Sequence, residues 1–456
     1  MGVPELERQM GISAYLTTTA GFGGAIRGTV EDFVVEETLV DGSTATTTQT
    51  AATKPALGAT AERRTYLLCV LVKRNWDTFI ALKNIARELG VEPAKIQIAG
   101  IKDAKAVTAQ YITLKGVTAQ QAADVQVKDM QLRPLGYFRE ALCPFYLLGN
   151  NFKIAISNIQ ADEAEVEQQT AQVAEQVAAA GGIPNFFGHQ RFGTTRVITH
   201  LVGKAMVNGD FAGAAMVFLG NPSPNEHPQS QKARAELQES GDFKQALAEF
   251  PVQLRFERVM LRHLAEDPAD FAGAFRRLPL KLRTLFVQAW QSYLFNRFLS
   301  ARLNSGLGLG TAEAGDFVVG VERSGLPLTR TGKFVAEANV AEVNRQIAAG
   351  KLRVALPIFG SRQRLSEGKT GEMQRQILQE EGVTDRGFWV RELPEVNSKG
   401  ELRAAVCPVC GFTADKAAPD LGGLRLPLQF RLLRGAYATV LLRELIKPKD
   451  LIAAGF

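Results

Sequence analysis

The 456-residue sequence predicts an α+β fold on a mixed or largely antiparallel sheet, a sheet the chain leaves for a helical stretch and rejoins near its end. Three observations predict it. Short apolar or alternating runs recur between residues 25 and 160. Helical spacing dominates after residue 200. The tail "LRLPLQFRLLRGAYATVLLRELIKP" then reads as strand, turn and helix, closer in character to the first part than to the middle.

The elements follow in order. "AIRGTVEDFVVEETL" (25–39) reads as a strand around Phe33, Val34 and Val35. The tract 41–64 is rich in Thr, Ala and Ser, has no period, and reads as a flexible excursion. "TYLLCVLVKRN" (65–75) is an apolar central strand. Asp77 caps a helix whose apolar residues Phe79, Ile80, Leu82, Ile85, Ala86 and Leu89 recur at helical spacing, with Gly90 as its stop. "KIQIAG", "AQYITLKG" and "NFKIAISNIQ" supply further strands, and an acidic, Ala-rich helix follows. "FAGAAMVFLG", "FKQALAEF" and "LPLKLRTLFVQAWQSYLFNRFLSARL" are helical, and "FVVGVE" and "LPIFG" are short strands.

Composition narrows the class. Hydrophobic residues make up 46% and charged residues 22%, ordinary for a chain that buries a core. The net charge of +6 suits an anionic partner such as RNA without requiring one. The N-terminal stretch lacks the apolar core of a secretory signal, and no apolar run is long enough to span a membrane. Four cysteines in so long a chain make no disulfide framework and suit a reducing cytoplasm. No P-loop is present, and "GLGLG" (306–310) lacks the spacing of a dinucleotide loop.

Three stretches carry chemistry. In "AGIKDAKAVTAQ" (99–110), Asp103 lies between Lys102 and Lys105 at the end of an apolar strand. A carboxylate beside cations stays ionised near neutral pH and serves as nucleophile, base or electrostatic partner. It is equally a polar turn residue. "GGIPNFFGHQRFGTTR" (181–196) sets phenylalanines among glycines with Arg191 and Arg196. That mixture suits base stacking and phosphate binding, although by residue type alone a packed, Gly-rich turn is the commoner use of such aromatics. "CPVCGF" places Cys407 and Cys410 in a lone CxxC, half of a structural zinc site or a plain thiol pair; a metal is not expected.

The motifs together resemble the TruD family of tRNA pseudouridine synthases. "EDFVVEE", "AGIKDAKAVTAQ", "NFFGHQRFG", "AWQSYLFNRFLS" and "GAYATVLLREL" resemble five family signatures and occur in the family's order. The resemblance implies a pseudouridine synthase catalytic domain over residues 1–205 and 414–456, interrupted by an inserted α+β TRUD domain over 206–413. It implies isomerisation of a tRNA uridine, uridine 13 of the D arm, in the cytoplasm. That reaction exchanges neither electrons nor phosphate, so no cofactor is expected. Asp103 matches the catalytic aspartate. Phe33, Asn185, Phe187 and Tyr437 match residues that contact the nucleotide, with Phe187 stacking on the uracil. Arg27 stands where many relatives carry lysine and is placed to pair with Asp103. Lys102 and Arg191 are expected at phosphates. Two other functions are open to such a chain: a catalytically silent tRNA-binding protein on the same fold, and a hydrolase pairing Asp103 with Glu36.

Overall fold

The computed structural model describes residues 2–48, 55–193, 195–384 and 387–456. Its centre is a nine-stranded mixed sheet. The strands are β1 (Phe33–Leu39), β2 (Tyr66–Arg74), β3 (Ile96–Ile98), β4 (Val107–Lys115), β5 (Met130–Phe138), β6 (Leu147–Ile159) and, from the far end of the chain, three described below. Only β1 and β4 run parallel; the other pairings are antiparallel. The parallel pair needs a long crossover, and residues 40–106 supply it by way of β2, the helix Thr78–Glu88 and β3.

Both faces of the sheet are covered, which explains the near-continuous apolar character of β2. Leu67, Cys69 and Leu71 point one way, onto Leu82, Ile85 and Ala86 of the helix Thr78–Glu88. Leu68 and Val70 point the other way, toward Ala45, Ala56 and Ala59. The tract 41–64 is therefore no free excursion among its described residues. Ala45 N bonds Glu37 O at 2.8 Å, and Thr60 pairs with Tyr137. Small residues scattered without period fill this face, so no pattern announced them; residues 49–54 lie outside the described set. The helix Thr78–Glu88 is capped by Asp77 as its sequence predicts, with Asp77 Oδ1 accepting from the amides of Phe79 and Ile80. Its buried face is narrower than predicted: Phe79 and Ile80 are 56% and 54% exposed.

Between Thr199 and Ala404 none of the described residues forms a strand of the large sheet. It forms helices, among them the long Leu280–Asn304, and a four-stranded sheet. In that sheet β8 (Phe317–Val321), β9 (Pro327–Phe334), β10 (Leu352–Ile358) and β11 (Glu401–Ala404) are ordered β11-β10-β8-β9. A short strand β7 (Ile183–Pro184) pairs with β12 (Val406–Cys407). The chain then rejoins the large sheet through β13 (Val409–Ala414), β14 (Ala418–Asp420) and β15 (Gly423–Leu433). The return to the large sheet begins at Val409. The CxxC spans that re-entry, with Cys407 buried on β12 and Cys410 partly exposed on β13. Among the described residues, no group of three or more His, Cys, Asp or Glu side chains is arranged to hold a metal. Nor is any described helix long and apolar enough to cross a membrane.

One hydrophobic core joins the two parts. Phe33, Val35, Phe152 and Phe430 of the large sheet belong to the same cluster as Trp290, Phe295 and Phe298 of the long helix. Continuous apolar packing of this kind holds two layers in a fixed relation, and the site described next lies where they meet.

Candidate active site

Asp103 sits in the turn between β3 and β4, and the turn is fastened by its backbone. Thr78 Oγ1 donates to Lys102 O at 3.0 Å and accepts from Lys102 N at 3.2 Å. Lys73 Nζ, on the neighbouring strand β2, donates to Asp103 O at 2.7 Å and to Trp76 O at 2.8 Å. Lys73 is fully buried, and that burial pulls its pKa down to about 8 against the pull of Asp103.

Lys102, expected at a phosphate, is turned inward. Its side chain is buried, with Nζ 2.6 Å from Glu37 Oε1, while Glu37 Oε2 accepts from Tyr111 N. A buried carboxylate demands a cation, and Lys102 is the nearest one in the chain. Lys105 is exposed. The two lysines that flank Asp103 in sequence thus turn to other tasks.

The cation that meets Asp103 is Arg27, with Nη2 at 3.0 Å from Asp103 Oδ1. Three contacts aim it. Its guanidinium carbon lies 4.2 Å from the Phe33 ring centre, Nη1 donates to Gly455 O at 2.7 Å, and Ile26 N donates to Ala454 O. Arg27 also holds φ +60°, a left-handed backbone that costs a non-glycine residue about 1–2 kcal/mol. Surrounding contacts must enforce such a conformation, and they do so here at a residue bound to Asp103. Phe33 is only 1% exposed. It forms a shelf beneath Arg27.

A second donor comes from the loop after β7. Gln190 Nε2 lies 2.7 Å from Asp103 Oδ1. This glutamine lies inside the "NFFGHQRFG" stretch, where nothing in its local pattern marks it. Its neighbour His189 is buried, and desolvation lowers its pKa to about 4. Beneath that loop, Arg443 forms a two-point pair with Glu7 and a further bond to Glu444, all three fully buried.

Asn185 and Phe187 face the other part of the chain. Asn185 Nδ2 donates to Ala404 O at 2.9 Å, and its Oδ1 accepts from Arg403 Nη2 at 2.7 Å. Asn296 on the long helix clamps the backbone of Phe187, accepting from its N and donating to its O. Phe187 is 5% exposed, and its ring centre lies 4.1 Å from the Arg403 guanidinium carbon and 5.2 Å from that of Arg191. The Nε of Arg191 is buried without a hydrogen-bond partner. Tyr437, half-buried at the start of the helix Ala438–Ile446, meets Phe187 edge-on at 6.5 Å. A Cβ at Gly188 would come within 2.9 Å of the Tyr437 ring, so only glycine lets that loop lie against it. Arg403 is 218 residues from Asn185, and no sequence spacing could have connected them.

Glu36 is unsuited to the acid-pair alternative. It lies one residue out of phase with Phe33 and Val35 on β1, hence on the opposite face of the sheet. Its carboxylate is taken by Lys153 at 3.1 Å and by Thr47.

A family model described as tRNA pseudouridine synthase D (TruD) matches residues 9–445. Two similar proteins named "Probable tRNA pseudouridine synthase D" come from Methanosarcina barkeri and Methanosarcina mazei. The first is 38% identical over 454 residues, covering 99% of both chains. The second is 36% identical over 452 residues, again covering 99% of both. A crystal structure from Methanosarcina mazei, of a protein given the family name TruD, superposes with a TM-score of 0.82. That protein is 36% identical, and the match covers 98% of this chain and 99% of the other.

Proposed function

The chain belongs to the TruD family of tRNA pseudouridine synthases, an isomerase family, and from that premise we propose how its own residues perform the reaction. The substrate uridine is position 13 in the D arm of tRNA, and the reacting side chain is Asp103. The observation that carries the proposal is the setting of that carboxylate. It is one-fifth exposed, and its Oδ1 is held between Arg27 and Gln190.

The isomerisation breaks the N1–C1′ bond, turns the uracil and joins C5 to C1′. C5 gives up its proton and N1 gains one, so the product has the formula of the substrate. A stacked base is out of reach of any side chain and must first be flipped, at about a few kcal/mol of lost stacking. Asp103 then assists cleavage by attacking C1′, by adding to uracil C6, or by removing the C2′ proton. All three begin from an ionised, aimed carboxylate. Arg27 and Gln190 supply the aim, and Arg27 the charge balance.

Phe187 stacks on the uracil in this proposal. Its ring is covered by Arg191 and Arg403 without RNA, so the base displaces one guanidinium. Arg191 is the one that leaves, because Arg403 is tied to Asn185 and Gly435 O whereas Arg191 Nε has no partner. Once displaced, Arg191 takes a phosphate. Asn185 fixes the nucleotide with the hydrogen-bonding capacity it keeps beyond Ala404 and Arg403. Tyr437 packs on the far edge of the same pocket. The helical stretch with its four-stranded sheet acts as an inserted domain that closes the site from above. The decisive experiment maps pseudouridine, nucleotide by nucleotide, in tRNA incubated with wild-type protein and with Asp103→Asn. Modification at one D-arm uridine that is lost in the variant supports the proposal. Retained modification removes Asp103 from it.

A further inference from the structure

Beside the Asp103 turn the surface is apolar where solvent would favour polar groups. Ile101 is 62% exposed, Phe79 56% and Ile80 54%. Single exposed apolar side chains are ordinary, but these three stand on two segments that are fastened together. Ile101 adjoins Lys102 and Phe79 adjoins Thr78, the two residues joined by the 3.0 Å bond that fastens the turn. Phe79 and Ile80 also stand on the first turn of a helix whose core face is already complete with Ala81, Leu82, Ile85 and Ala86. Nothing in the packing of that helix calls for them.

The rim of this patch is positive. Lys83 is exposed one helical turn from Phe79, on the same side, and Lys105 is exposed two residues beyond Asp103. Of the carboxylates beside it, Asp77 accepts from the amides of Phe79 and Ile80, and Asp103 is paired with Arg27. An apolar centre with a cationic edge fits a nucleic-acid strand whose bases have been parted, because apolar side chains replace lost stacking while ammonium groups meet phosphates.

We propose that Ile101, Phe79 and Ile80 form a contact for the tRNA strand flanking the flipped uridine, with Lys83 and Lys105 on its phosphates. The contact is continuous with the Asp103 turn, and the inference rests on the reading of Asp103 as the reacting residue. The patch holds the RNA open next to the pocket and so favours the flipped state. It does not touch the reacting atoms.

The test is steady-state kinetics on an unmodified tRNA transcript with the triple variant Phe79→Ser, Ile80→Ser, Ile101→Ser. All three positions are exposed, so the melting temperature should change little, and it is measured as a control. The expected result is a KM raised about tenfold with kcat within about threefold of wild type. In addition, Lys83→Ala with Lys105→Ala should raise KM and flatten its dependence on salt. An unchanged KM in the triple variant, with wild type active, overturns this inference and leaves the proposed reaction standing. Absence of pseudouridine with wild type itself overturns the reaction, and this contact with it. A concentration-dependent rise in the mass of the wild-type particle, abolished in the triple variant with KM unchanged, would make the patch a contact between copies and overturn the proposal too.

Discussion

Arg27 Nη2 lies 3.0 Å from Asp103 Oδ1, although the two residues are 76 positions apart. Arg27 is pinned as well by the Phe33 ring and the Gly455 carbonyl, so the pair has little freedom to separate. Arg27→Lys keeps a charge but loses the planar fork that reaches Asp103 and Gly455 together. Turnover should fall about 10- to 100-fold with tRNA affinity nearly kept, and Arg27→Ala should fall further. Single-turnover pseudouridine formation at saturating enzyme checks this; equal rates in Arg27→Ala and wild type would refute the pairing role.

Gln190 acts on the same oxygen from the opposite part of the chain. Gln190→Ala removes one neutral donor, an interaction worth about 0.5–1.5 kcal/mol, so a loss of up to about tenfold in kcat is expected. Gln190→Glu sets a second carboxylate against Asp103 and should be the more severe. Single-turnover rates of the two variants, with tRNA affinity measured alongside, separate these effects.

Lys73 supports the turn from within. Lys73→Met retains the bulk but leaves the carbonyls of Asp103 and Trp76 without their donor, at about 1–3 kcal/mol for each unsatisfied group. Denaturant unfolding should show that loss. Slower turnover with unchanged tRNA affinity should accompany it, because the backbone of Asp103 shifts.

Acid should destabilise the fold through two histidines. Burial holds both His189 and His200 near a pKa of about 4, against about 6.5 in an unfolded chain. Between those values the unfolded chain binds protons that the folded one does not, so stability falls as pH drops from 6.5 to 4. The loss is on the order of 3 kcal/mol for each at the acid end. Melting temperatures at pH 7 and pH 5 should differ less in the His189→Gln, His200→Gln double variant than in wild type.

The buried pair of Arg443 and Glu7 ties the N-terminal segment to the helix Ala438–Ile446 under the Gln190 loop. Arg443→Leu strands two carboxylates, Glu7 and Glu444, and should cost about 3–5 kcal/mol. Glu7→Gln should cost less, since one negative charge is removed with its partner kept. Chemical denaturation of the two variants gives the comparison.

The sequence by itself determined β1, β2, β4, β6 and the long helix Leu280–Asn304, because burial on one or both faces writes period two, period 3.6 or a plain apolar run into the chain, whereas β5, β9, β11 and β13 carried no such pattern. Only the resemblance of its ordered motifs to the TruD family singled out the Asp103 stretch and the Asn185–Arg191 loop. What it left open depended on long-range geometry. Lys102 and Phe33 sit beside site residues in sequence, yet the fold turns the first inward to Glu37 and lays the second beneath Arg27. Gln190, Lys73, Asn296, Arg403 and the Gly455 carbonyl come to the site from distant elements. Their roles exist only once the core formed by the sheet and the long helix brings those elements together. A hydrogen bond reads distance in space, and the chain's local pattern records only distance along itself.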